Sequence, residues 1–335
     1  VYEPSWQFII VCALVLAAEF VNGMNDAPNA IATVVSTRVL RPWHALAMAS
    51  VLNVLGAVLT GTAVALTIGK GIVMPEALEG GIGLPVVGAA ALGIAVWGAL
   101  ATLRGLPISI SHGLVAGLAG AGVAMAGTHV LLWSGWQKVL IGLGFSTVVG
   151  FSLALLFMVG IYWALQRMWP HVVRALFGRL QILSAAFMAF SHGSNDGQKF
   201  MGMLTLALVL DGAQSNWDIP LWVILLCGGV MGLGTAVGGW RVMRTMGFGL
   251  TKLEPVQGFA AETAAASAIQ IASHFGVPLS TTHTINTAIM GVGASRRLSA
   301  VRWGVGGHIV GTWIVTFPAC FALAAVFALI LHWLF

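Results

Sequence analysis

Two polar quartets, Gly23-Met24-Asn25-Asp26 and Gly193-Ser194-Asn195-Asp196, stand at an offset of 170 (23 to 193) in sequence otherwise apolar enough for a membrane interior. A carboxylate at the centre of a membrane helix costs about 2.5–3.5 kcal/mol on insertion scales, so its repetition at matching positions points to work on an ion or solute. Two further matches keep nearly the same register. Gly105, Pro107, Ser109 and His112 recur as Gly276, Pro278, Ser280 and His283 at an offset of 171 (105 to 276), and Gly61-Thr62-Ala63-Val64 recurs as Gly234-Thr235-Ala236-Val237 at 173 (61 to 234). The chain is therefore read as two copies of one half: residues 1–166, a cytoplasmic link 167–179, and residues 180–335.

Composition places both copies in a bilayer. Of 335 residues 59% are hydrophobic and 7% charged, with mean hydropathy +0.95, too few charges to cover a soluble domain. A spanning helix needs roughly 20 apolar residues. The expected architecture is an all-α polytopic membrane protein of about ten segments in two inverted-topology repeats, with broken helices and room for re-entrant hairpins. The expected segments are Trp6 to Thr37, Ala45 to Ile68, Leu84 to Leu103, a Gly-rich helix ending near Ala126, and Trp136 to Leu165. The second copy gives Leu180 to Leu210, Pro220 to Trp240, Leu253 to Phe275, a short helix to Gly293, and Trp303 to Trp333. The first of each set is expected to break at its polar quartet. Pro107 and Pro278 are expected at helix starts. A hairpin turning at Gly105-Leu106-Pro107 and two full spans both fit the sequence.

The net charge of +5 comes from Arg and Lys at segment ends, which argues against nucleic acid and for topology. With Arg38 and Arg41 inside, five crossings per half also put Arg104, the Arg167/Arg174/Arg179 link, Arg241/Arg244/Lys252 and Arg296/Arg297/Arg302 inside. Both termini then lie outside, in a multi-pass protein of a plasma membrane such as the bacterial inner membrane. The first apolar run lacks a basic start and reads as a membrane helix, not a cleaved signal. Cys12, Cys227 and Cys320 lack metal or disulfide spacing and read as packing residues.

Glu19, Asn22, Asp26 and Asn29 are spaced 3, 4 and 3 and share one helix face. Such an oxygen-rich stripe suits a hard coupling cation, Na⁺ or H⁺, with Asp26 and Asp196 as the ligands if the ion is Na⁺. The second copy keeps Asn195 and Asp196, with Gln198 and Lys199 nearby, but has Ala189 opposite Glu19 and Lys199 opposite Asn29. Lys199 either neutralises Asp196 or touches an anion. Glu262 is a further buried carboxylate and cation candidate. Ser109 with Ser111, and Ser280 with Thr281 and Thr282, mark two helix N-termini whose free N–H groups and dipoles favour an anion. His112 and His283 read as packing residues before proton relays.

These motifs resemble the inorganic phosphate transporter (PiT) family, whose halves carry Gly-x-Asn-Asp followed by Gly-[Leu/Val/Met]-Pro-x-Ser-x-[Ser/Thr]-His, most closely its bacterial low-affinity permeases. The resemblance implies phosphate uptake by alternating access driven by a cation gradient. It implies phosphate at Ser109, Ser111, Ser280, Thr281 and Thr282, and cations at Asn25, Asp26, Asn195 and Asp196. Asn25, Asn195, Gln198 and Lys199 are further phosphate candidates, and Asn29, Glu19 and Glu262 further cation candidates. No cofactor is expected beyond the coupling ion. The expected partners are phosphate, the cation and lipid, and a homodimer is among the assemblies open to such a chain. Sulfate is the nearest rival substrate and an anion channel the nearest rival mechanism. An ATP-driven pump is disfavoured because no Gly-x-x-x-x-Gly-Lys-[Ser/Thr] is present, and an enzyme because no His-Glu-x-x-His or Gly-x-Ser-x-Gly is present.

Overall fold

The computed structural model describes residues 3–335, and among these it is all-helical, with twelve α-helices in two sets of six. The first set is α1 (Trp6–Ser36), α2 (Pro42–Leu59), α3 (Ala63–Gly71), α4 (Gly83–Arg104), α5 (Ile110–Ala126) and α6 (Trp133–Leu165). The second is α7 (Pro170–Leu210), α8 (Leu221–Val237), α9 (Trp240–Gly249), α10 (Pro255–His274), α11 (Thr281–Ala294) and α12 (Trp303–Leu334). Six helices, α1, α2, α4, α6, α7 and α12, are long and apolar enough to cross a membrane, and the α8–α9 pair, bent by 70°, makes a seventh when counted as one broken span.

The sets pack reciprocally. α1 lies on α4 and α8 as α7 lies on α10 and α2, while α5 lies on α12 as α11 lies on α6. Exchanging the halves reproduces the packing, which is a pseudo-two-fold relation. Polar contacts obey it too: Thr67 Oγ1 donates to the Gly276 carbonyl at 2.8 Å and Thr245 Oγ1 donates to the Gly105 carbonyl at 2.8 Å.

The breaks are not where the sequence predicts them. α1 runs unbroken through Asn22 to Asn29 with Pro28 inside it, and α7 runs unbroken through Gly193 to Asp196. Pro28 removes one donor, that for the Met24 carbonyl, and packing against α4, α7 and α8 holds the helix across that single lost bond. The breaks fall one element later, after α2 and α8, at Gly61 (φ 87°) and Gly238 (φ 71°), where the backbone takes a left-handed turn open to glycine. Ten expected segments thus become twelve helices. α7 also begins at Pro170, so most of the expected link is helical. Pro107 and Pro278 lie two residues before the caps, because α5 and α11 begin at Ile110 and Thr281 with Ser109 and Ser280 as N-caps.

Glycine lets the inner helices cross almost backbone to backbone. A Cβ at Gly193 would lie 2.1 Å from the Asn53 carbonyl and one at Gly56 would lie 2.0 Å from the Phe190 carbonyl. The other half repeats this, with Gly23 at 2.3 Å from the Met231 carbonyl and Gly234 at 2.2 Å from the Phe20 carbonyl. Small residues at such crossings are how membrane helices gain packing without a hydrophobic drive between them. Gly193→Ala forces α2 and α7 apart, and overpacking of this kind costs about 1–3 kcal/mol or more. The expected result is a lower melting temperature of the purified protein; an unchanged melt would show that the crossing tolerates a methyl group.

Candidate functional site

Three pairs of equivalent residues meet across the pseudo-two-fold axis. Ser280 Oγ donates to Ser109 Oγ at 2.8 Å, and the rings of His112 and His283 touch edge to face with centroids 4.5 Å apart. Asp26 and Asp196 come together with His192, one ligand atom from each lying within 4.8 Å of the others. Residues can meet their own copies only on the axis, so the site is built there, from the middles of α1 and α7 and the N-termini of α5 and α11.

Each serine also caps its own helix: Ser109 Oγ accepts from the His112 N–H at 3.3 Å and Ser280 Oγ from the His283 N–H at 3.2 Å. The first-turn amides ahead of these have no intrahelical acceptor. Two positive helix ends therefore face each other beside two carboxylates. The hydroxyls just inside α11 bind the carboxylates of both halves. Thr281 Oγ1 donates to Asp196 at 3.0 Å, Thr282 Oγ1 donates to Asp26 at 3.4 Å, and Asn29 Nδ2 donates to Thr282 Oγ1 at 3.1 Å. Lys199 Nζ donates to Asp196, to Ser111 Oγ at 2.5 Å and to the Leu279 carbonyl at 2.8 Å.

Not every expected site residue turns its side chain to this centre. Gln198 accepts from the Val64 N–H at 2.9 Å and donates to the Ser194 carbonyl at 2.6 Å, so both ends of its amide serve the fold, one of them at the N-terminus of α3. Glu262 lies apart from the central cluster, accepting from Thr33, Ser184 and, at 3.3 Å, Gln181. Asn25 and Asn195 each spend their NH₂ on the hairpin beside them, donating to Thr102 Oγ1 at 2.7 Å and to Ser273 Oγ at 2.8 Å. Their amide oxygens remain buried without a donor, as do oxygens of Glu19, Asn22 and Asn29. Five buried acceptors without donors, clustered around α1 and α7, fit a positively charged guest.

His192 was missed by sequence reasoning. Its Nε2 lies 3.2 Å from Asp196, and its Nδ1 lies 3.2 Å from Asn53 Oδ1, which belongs to α2 in the other half. The available signal was its place one turn before Asp196, opposite Asn22 in the first copy.

The phosphate transporter family model matches residues 22–324. The chain belongs to this family. Among its relatives, a probable low-affinity inorganic phosphate transporter of Rhizobium meliloti (strain 1021) is 44% identical over 93% of both chains. One of the same description from Bacillus subtilis (strain 168) is 39% identical over 98% of this chain and 97% of that one. A solved structure titled "The sodium-dependent phosphate transporter" superposes with a TM-score of 0.90 at 25% identity, covering 99% of this chain and 100% of the other. The chain is thus a multi-pass membrane transporter of phosphate, not an enzyme, and its axial cluster of Asn, Asp, Ser and Thr is made of the transporter's duplicated motifs.

Proposed function

We propose that this transporter imports inorganic phosphate together with a cation, Na⁺ or H⁺, by alternating access at the axial site. The observation that carries this reading is the juxtaposition of two opposed, serine-capped helix N-termini with Asp26, Asp196 and buried oxygen acceptors that lack donors. The helix ends suit a tetrahedral oxyanion, and the acceptors suit a cation. Each is compensated by the other in one low-dielectric place. Bringing a dianion in against about −100 mV costs roughly 4.6 kcal/mol, at 2.3 kcal/mol per charge, so accumulation needs a cation beside it. Labelled phosphate should accumulate in proteoliposomes under an imposed Na⁺ or H⁺ gradient, and the gradient that drives it identifies the ion. Phosphate that only equilibrates under both gradients would refute symport and favour a channel.

The reading includes an inverted topology, with both termini outside and the Arg167/Arg174/Arg179 segment in the cytoplasm of a bacterium, across its inner membrane. An axis relating inverted halves lies in the bilayer plane, which puts Ser109 and Ser280 at mid-depth, at the tips of two re-entrant hairpins, α4–α5 and α10–α11. Single cysteines placed in the link should react with impermeant reagents only from the cytoplasmic side. Labelling from outside would sink this orientation.

A further inference from the structure

Lys199 sits in a ring of oxygens whose residues all have counterparts in the other half. Lys199 Nζ is met by a carboxylate (Asp196), a hydroxyl (Ser111) and a backbone carbonyl (Leu279). Oxygens of these three kinds converging on one positive centre are also what a hard monovalent coupling ion takes at a transporter midplane. The duplication gives each ligand a counterpart. Asp196 corresponds to Asp26, Ser111 to Thr282, Leu279 to Ile108 and Lys199 to Asn29. The first three correspondences keep the oxygens, and the fourth replaces an ammonium by an amide.

At the position without a lysine, Thr282 Oγ1 reaches Asp26 at 3.4 Å. Asn29 spends its NH₂ on Thr281 and Thr282, at 3.4 and 3.1 Å, and keeps a buried Oδ1 that accepts from nothing. Neighbouring positions on the same helix face diverge in the same sense. Asn22 in α1 corresponds to His192 in α7, and Glu19 to Ala189, so oxygen ligands in the first copy become a ring nitrogen and a methyl in the second. Lys199 is itself 1% exposed and tied by three bonds, and so is a fixture of the site.

We infer that Lys199 is a tethered cation occupying one of two pseudo-equivalent cation positions, so that the transporter takes one mobile cation per phosphate, at the Asp26–Asn29–Thr282 position. The inference rests on the cation-symport reading above and adds to it the number of ions and their place. The lysine charge stays with the protein through the cycle. Only the ion at Asp26 passes from one bath to the other.

Two substitutions test this from opposite directions. Lys199→Asn gives the second position the ligand set of the first. Net charge moved per phosphate, read from the reversal potential of proteoliposome uptake, should rise by one whichever cation is coupled. The cation concentration dependence, with a Hill coefficient near one in the wild type, should steepen. Asn29→Lys does the reverse: charge per phosphate falls by one, and uptake loses its dependence on added cation. Melting of the purified protein without phosphate gives a readout independent of transport. Titration with Na⁺ and with protons should stabilise wild type as one bound cation, Lys199→Asn as two and Asn29→Lys as none. A wild type that binds two cations, or a Lys199→Asn protein with unchanged charge movement and an unchanged melting titration, would overturn the proposal. Should Lys199→Asn fail to fold, Asn29→Lys decides alone, since a wild-type cation response in that variant also overturns it. Wild type that binds one cation in the melt but never concentrates phosphate would instead refute symport and leave the count of cation positions standing.

Discussion

Asp26→Asn is expected to reduce concentrative phosphate uptake to the level of passive equilibration while leaving the protein folded. Asparagine keeps the shape of aspartate, and the hydrogen bond from Thr282 to Asp26, at 3.4 Å, has an oxygen to accept it in either residue. What is lost is the negative charge that the mobile cation needs, at a depth where no water replaces it. Asp196→Asn is expected to abolish uptake as well, but by another route. Asp196 is the anionic partner of Lys199 and also accepts from Thr281 at 3.0 Å. Removing one member of a buried ion pair strands the other, at a cost of about 3–5 kcal/mol. The two variants should therefore separate in the melt: Asp26→Asn close to wild type, Asp196→Asn clearly lower. Labelled uptake and thermal melting on the same preparations check both statements. Near-normal uptake by Asp26→Asn would remove the cation from this position.

The sequence offered Lys199 as the partner of Asp196 or of an anion without deciding between them, and the reason is physical. The duplication, the membrane class and the motif residues were all legible, because each leaves a local pattern: a repeated offset, a low charge fraction, a proline and serines ahead of an apolar helix. Contacts set by the fold were not. Lys199 meets Leu279 of its own half and Ser111 of the other, residues at the tips of the two hairpins that only the packed fold brings to it. Gln198 sits in the second polar motif and looks like a ligand, yet its amide serves the N-terminus of α3 and the backbone of α7. The break was misplaced for a related reason. Gly23 and Pro28 read locally as helix breakers, but Gly23 is small because the α8 backbone crosses there, and a Cβ would come within 2.3 Å of the Met231 carbonyl. Glycine marks flexibility and close approach with the same letter, and only the neighbour across the interface tells them apart.

Removing the hydroxyls at the hairpin tips should weaken phosphate binding most among the neutral substitutions. Ser109 and Ser280 donate to or accept from one another at 2.8 Å, and each caps its own helix. In the proposed site an anion entering between the tips would turn both O–H groups toward itself. A lost hydrogen bond to a charged group is worth about 1.5–3 kcal/mol, roughly tenfold or more in affinity. Ser109→Ala and Ser280→Ala should each raise the apparent KM for phosphate by that factor. The double variant should fall short of the product of the two, because residues in contact do not add. Loss of an N-cap costs about 1 kcal/mol and would show in the melt, not in KM; threonine at either position, which keeps both cap and donor, should restore both. Substrate identity enters through the same pair of tips. Phosphate brings an O–H that can donate a hydrogen bond to Asp26 or Asp196, and sulfate near neutral pH brings none, so excess sulfate should compete poorly with labelled phosphate in the wild type. Sulfate that inhibits as well as unlabelled phosphate, and is itself accumulated, would give the site to sulfate. An unchanged KM in the double alanine variant would take the anion away from the helix tips, whichever anion is carried.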